Sequence, residues 1–111
     1  MSLVEKIRKA RETSVEAGGR RFVIRRPTDE EALANSRAGA SLLDVVRQFT
    51  IGWEMTELDL IPGGSPTPVP FSAELFGEWV ADQPSIWEPL GNAILAAYKA
   101  HADKRGEAVK N

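Results

Sequence analysis

Four prolines fall within eleven residues of this chain, in Ile61-Pro62-Gly63-Gly64-Ser65-Pro66-Thr67-Pro68-Val69-Pro70-Phe71. Proline fixes φ and donates no backbone hydrogen bond, so the stretch can be neither a helix nor a central strand. It is expected to form an extended or turn-rich loop over residues 61–71. Every regular element must therefore lie before or after it.

Before the loop, Thr13–Ala17 and Arg20–Arg25 flank Gly18-Gly19, which can supply the positive φ angles of a two-residue hairpin turn. Folding there pairs Val15 with Phe22 and Thr13 with Ile24 on one face, and Glu16 with Arg21 on the other. Leu3, Val4 and Ile7 suggest a short amphipathic helix ahead of the hairpin. Pro27 ends the second strand, and Thr28 with Glu31 forms a capping box that opens a helix through about Ser36. Beyond Gly39, Leu42, Val45, Val46, Phe49 and Trp53 recur at spacings of three and four. They predict a helix firm to about Phe49, weakened beyond it by Thr50-Ile51 and Gly52.

After the loop, Ser72 caps a helix with Leu75, Phe76, Trp79 and Val80 on one side. A last helix opens either at the Ser85/Glu88 box or at Pro89 with Glu88 as its cap. It carries Leu90, Ile94, Ala97 and His101 on one stripe and should fray after about Ala102. The expected fold class is thus α+β, mainly helical, with four to five short helices and one N-terminal β-hairpin. The expected organisation is a single domain over 1–111: a short helix or tail at 1–12, the hairpin at 13–26, a helical body at 28–101 and a frayed end at 102–111. A mass of 12.2 kDa can bury roughly two thirds of the extended chain's surface, enough for one core.

Composition removes whole classes of chemistry. The chain has no cysteine and one histidine, which excludes disulfides, thiolate catalysis, Cys-based zinc sites and multi-His metal centres. No apolar run approaches the roughly 18 residues that span a bilayer, and the opening residues lack the apolar block of a signal peptide. A soluble protein that stays where it is made is expected, without a membrane partner. Charge is unevenly placed. Residues 1–26 carry eight Lys/Arg against three Glu; residues 27–90 carry two Arg against eleven Asp/Glu; residues 91–111 carry four basic residues against two acidic ones. Basic ends can bind nucleic acid, but the acidic middle would repel phosphate, and attraction between the segments accounts for the same pattern.

Local motifs add little chemistry. His101 is expected near a helix end with no Ser/His/Asp arrangement around it. Glu54, Glu57 and Asp59 lack the alternating ligand pattern of an EF-hand loop, and neither Gly-Gly pair belongs to a phosphate loop or dinucleotide fingerprint. No catalytic residue, metal or cofactor is expected. Trp53 and Phe71 stand at the two edges of the proline loop, where large aromatics either anchor the loop or dock a partner.

Taken in order, Phe22-Val23-Ile24-Arg25-Arg26-Pro27-Thr28-Asp29, Gly52-Trp53, Asp59-Leu60, Pro62-Gly63-Gly64, Val69-Pro70-Phe71-Ser72 and a helix with Ala93-Ile94 and Tyr98 resemble the tail assembly chaperones of long-tailed bacteriophages and prophages. The resemblance covers most of the chain. It implies a non-enzymatic cytoplasmic protein of the infected cell that binds the tape measure protein, keeps it soluble during tail morphogenesis and is absent from the mature virion. The tail tube protein and self-association stay open as further contacts, with nucleic acid disfavoured. Partner-binding residues implied on this reading are Trp53, Leu60, Val69, Pro70 and Phe71. The competing reading is a small nucleic-acid-binding regulator that uses the basic N-terminal segment. Such chaperones are commonly made in a second, longer form by a −1 ribosomal slip, and Val109-Lys110-Asn111 can be encoded by a slippery run.

Overall fold

Gly18 and Gly19 have φ angles of +58° and +76°, the left-handed region that a tight hairpin turn demands. They join β1 (Glu12–Ala17) to β2 (Arg20–Arg25). Val15 lies opposite Phe22, Thr13 opposite Ile24 and Glu16 opposite Arg21, the register that alternation and charge predict. Phe22 and Ile24 point into the core, while Arg21 meets Glu16 at 3.6 Å on the outer face. The computed structural model describes residues 1–110, so the closing Asn111 of the Val109-Lys110-Asn111 motif lies outside the described residues.

A third strand was not expected. The chain leaves its helix at Thr50, and β3 (Thr50–Trp53) pairs antiparallel with β2, placing Trp53 opposite Phe22. Trp53 is therefore a strand residue rather than the end of a helical stripe. A spacing of four from Phe49 suited either reading, and the β-branched pair Thr50-Ile51 tipped the backbone toward a strand. Gly52 allows the close approach, since a Cβ there would stand 3.2 Å from the Val23 Cβ. The sheet has the order β1-β2-β3.

Six helices complete an α+β fold among the described residues: α1 (Leu3–Lys9), α2 (Asp29–Ala38), α3 (Leu42–Phe49), α4 (Glu57–Leu60), α5 (Ala73–Val80) and α6 (Pro84–Lys110). Thr28 and Glu31 form the expected capping box of α2, and Gly39 closes that helix in the left-handed conformation. Ser72 caps α5. Two features depart from the sequence reading. The single turn α4 was not foreseen, although Thr56 and Asp59 make a capping box for it. The last helix starts at Pro84, earlier than either expected start, and continues to Lys110, past the expected end at Ala102. Proline is well tolerated at a first helical position, and Pro89, further in, forfeits one backbone bond to the Ser85 carbonyl.

One hydrophobic cluster joins the sheet to α3, α5 and α6, with Phe22, Ile24, Val46, Phe49, Phe76, Val80, Leu90 and Ile94 essentially sealed from solvent. In α1, by contrast, no residue is buried. Among the described residues no helix is long and apolar enough to cross a membrane.

Candidate functional site

The proline segment folds back along the chain that precedes it. Thr56 bridges Pro68, the Val69 N–H donates to the Met55 carbonyl at 2.9 Å, and the Leu58 N–H donates to the Ser65 carbonyl at 2.9 Å. Trp53 Nε1 donates to the Val69 carbonyl at 2.8 Å and so fastens the loop's far strand to the sheet. The Trp53 ring packs edge-on against Phe71 at 5.3 Å between centroids, and both rings contact Phe76. Trp53 and Phe71 are accordingly half-buried anchors that join the loop to the core.

Of the five residues singled out from the sequence, this geometry unites Trp53, Val69 and Phe71 directly. Leu60 is half-buried against the same cluster, and Pro70 is exposed. The freely exposed apolar groups nearby are instead Leu58 and Ile61, each 55% exposed. Ile61 and Leu60 stand with Leu75 and Trp79 around a shallow hollow of about 280 Å³.

Sequence reasoning missed a larger concavity. A groove of about 380 Å³ opens between α2, α3 and α6, and no charged side chain lines it. Ala32, Leu42, Val45, Phe49 and Leu95 supply its apolar walls, with Tyr98 at one side. Leu95 remains about half exposed. Its signal was present as the helical spacing Leu42-Val45-Phe49, but that spacing reads as core until the third helix is placed.

The acidic and histidine candidates have local explanations. The Glu57 carboxylate accepts from the Ser65 N–H at 3.1 Å, and that of Asp59 accepts from the Thr56 N–H at 2.8 Å while lying 3.4 Å from Arg20. These bonds, led by the one from the Thr56 backbone, hold the Asp59 carboxyl below the usual carboxylate range. His101 Nε2 lies 3.5 Å from Asp29, which also accepts from the Tyr98 hydroxyl at 2.8 Å and from Arg105. Donation by Arg105 and then by Tyr98 lowers the Asp29 carboxyl to about 2. This cluster ties the first turn of α2 to the second half of α6.

Comparison with models of protein families, with curated proteins and with solved structures finds no match to this chain.

Proposed function

We propose that the protein is a non-catalytic binding module of the tail assembly chaperone type, which covers apolar helical surface on a tape measure protein in the cytoplasm of an infected bacterium. The observation that carries the reading is the uncharged groove between α2, α3 and α6, open to solvent and walled by aliphatic and aromatic side chains. Grooves of this kind take the apolar face of an amphipathic helix through residues spaced three and four apart. The hollow beside Leu60 and Ile61, where Leu75 and Trp79 stand with Glu78, Asp82 and Gln83, offers a second, smaller contact of mixed polarity at the edge of the proline loop. Modest contacts of this kind suit a chaperone, because the client must be released when tail tube subunits polymerise around it. The resemblance in residue order through Gly52-Trp53 and Val69-Pro70-Phe71-Ser72 supplies the identity of the client.

Co-expression with a tape measure protein of a long-tailed phage provides the test. The client should become soluble and co-elute with this chain, and Leu95→Asp, which places a charge in the groove wall, should abolish co-elution while circular dichroism stays unchanged. Binding should survive an increase to about 1 M salt, at which exposed charge pairs are screened within a few ångströms. Failure to solubilise the client, or full binding by Leu95→Asp, would refute the proposal. So would retention of DNA that falls steeply with salt and is untouched by Leu95→Asp.

A further inference from the structure

A guanidinium withdrawn from water ordinarily meets a carboxylate or a row of carbonyls, because a fixed charge loses its hydration there. Arg11 departs from this rule. It is half-buried, and its Nε is shut off from solvent with no acceptor among the described residues. The Arg26 N–H donates to the Arg11 carbonyl at 2.9 Å, so the two arginines sit side by side where the hairpin strands meet α1 and α2. Arg26 is also half-buried, and its Nη1 finds a neutral acceptor, the Pro27 carbonyl, at 3.0 Å. Burial, followed by the charge of Arg11, weakens the hold of Arg26 on its proton. The two cations are close enough to repel.

Opposite them, α6 presents His101 and Lys104 beside Ala97 and Ala100, whose small side chains leave room. Together with Arg11, Thr13 and Arg26 they border an open cavity of about 310 Å³ at the surface. Among the described residues no carboxylate bonds to Arg11 or Arg26, although the charge of Asp29 reaches Arg26 and partly offsets burial and the charge of Arg11. Asp29 is taken up by Arg105, Tyr98 and His101, and Glu31 accepts from Nη1 and Nη2 of Arg25, each at 2.8 Å. Glu12 and Glu30 line a neighbouring hollow that Arg11 also borders, and among the described residues neither pairs with Arg11 or Arg26.

We propose that this cavity is a binding site for a single phosphate group, held by the guanidinium forks of Arg11 and Arg26 and by the Lys104 ammonium. Three converging cations exceed the charge of one carboxylate and match a phosphate of nearly two negative charges, whose oxygens accept from planar guanidinium groups in pairs. The Thr13 hydroxyl adds an uncharged donor at the rim. A nucleic-acid backbone fits less well, since the hollow beside the site sets Glu12, Glu30 and Glu31 among Arg8 and Arg25 rather than continuing the row of cations. The site uses a different side of α6 from the apolar groove: Leu95 and Tyr98 line one, and Ala97, Ala100, His101 and Lys104 the other.

Isothermal titration of the full chain with inorganic phosphate, and separately with glycerol phosphate, tests the site at constant ionic strength against chloride. Saturable binding of either is expected; both binding would indicate a phosphomonoester ligand, and inorganic phosphate alone would indicate the free ion. Arg26→Gln should weaken binding about tenfold, as the loss of one charge-assisted pair does. Lys104→Gln, on an exposed helix position, should weaken it severalfold without touching the fold, and Arg37→Gln should leave it unchanged. Absence of saturable binding would overturn the proposal. The same follows from unaltered affinity in both Arg26→Gln and Lys104→Gln, or from tighter binding of duplex DNA with a steep salt slope.

Discussion

At the scale of single residues, the aromatics at the loop edges show how far a sequence can specify a role. Trp53 and Phe71 stand out because they flank the proline-rich stretch, yet only the fold reveals that they touch each other and Phe76. Nothing in the spacing of residues 53 and 71 encodes that contact. Phe71→Ala is expected to lower stability by about 2 kcal/mol, short of the 3–5 kcal/mol typical for a fully buried Phe because the ring is half-exposed. Affinity for the client should change little once the variant is folded. Chemical denaturation alongside a co-elution assay separates the two effects, and lost affinity at unchanged stability would return Phe71 to the binding surface. Trp53→Phe keeps most of the ring contacts but deletes the donor to Val69, and should cost about 1 kcal/mol.

At the scale of elements, the sequence is legible where the cause of a structure is local. The Gly18-Gly19 turn set the hairpin register, and the Thr28/Glu31 and Ser72 caps set two helix starts, because each depends on residues within four positions of one another. β3 and the length of α6 were not legible, since their causes lie far away in sequence. The strand exists because β2 offers Trp53 a place opposite Phe22, and the end of α6 is held by Arg105 and Tyr98 on Asp29, across 76 and 69 residues. Asp29→Asn should therefore speed amide hydrogen exchange from about Tyr98 onward, while the core positions Leu90 and Ile94 stay protected. Where α3 crosses α6, Gly91 is buried, and a Cβ there would come within 2.2 Å of the Leu42 Cδ1 and 2.9 Å of its Cγ. Alanine ordinarily strengthens a helix by about 1 kcal/mol over glycine. Overpacking costs about 1–3 kcal/mol, so Gly91→Ala should instead destabilise by about 1 kcal/mol. In the double variant with Leu42→Ala the Gly91→Ala step should become neutral or favourable, and a double-mutant cycle without coupling would refute the close-packing explanation.

For the whole molecule, the basic ends and acidic middle of the sequence find one another: Arg20 with Asp59, Arg25 with Glu31, and Arg105 with Asp29. The groove, in contrast, was invisible in any one segment because three helices from different parts of the chain build it. The charge pairing has a consequence for acid stability. Hydrogen bonding to Arg25 above all lowers the Glu31 carboxyl to about 2, and Arg105 and Tyr98 bring Asp29 to a similar value. Asp44 and Asp59 are lowered in the same direction, chiefly by the backbone N–H groups of Ser41 and Thr56 that they cap. In the unfolded chain these groups take up protons near pH 4, so the folded state binds fewer protons through the range below that. Their stabilisation is complete above about pH 5 and is lost as the pH falls through about 4 towards about 2. Asp29 and Asp44 are exposed and Glu31 and Asp59 half-buried, and solvent screening keeps each contribution small. Melting temperature should accordingly be level from about pH 7 to 5 and then decline, with a shallower decline in Glu31→Gln because that variant has no proton to take up at the position. A melting temperature that rises on acidification, or an identical acid slope in Glu31→Gln, would show that the Arg25–Glu31 pair contributes nothing to the difference between folded and unfolded chains.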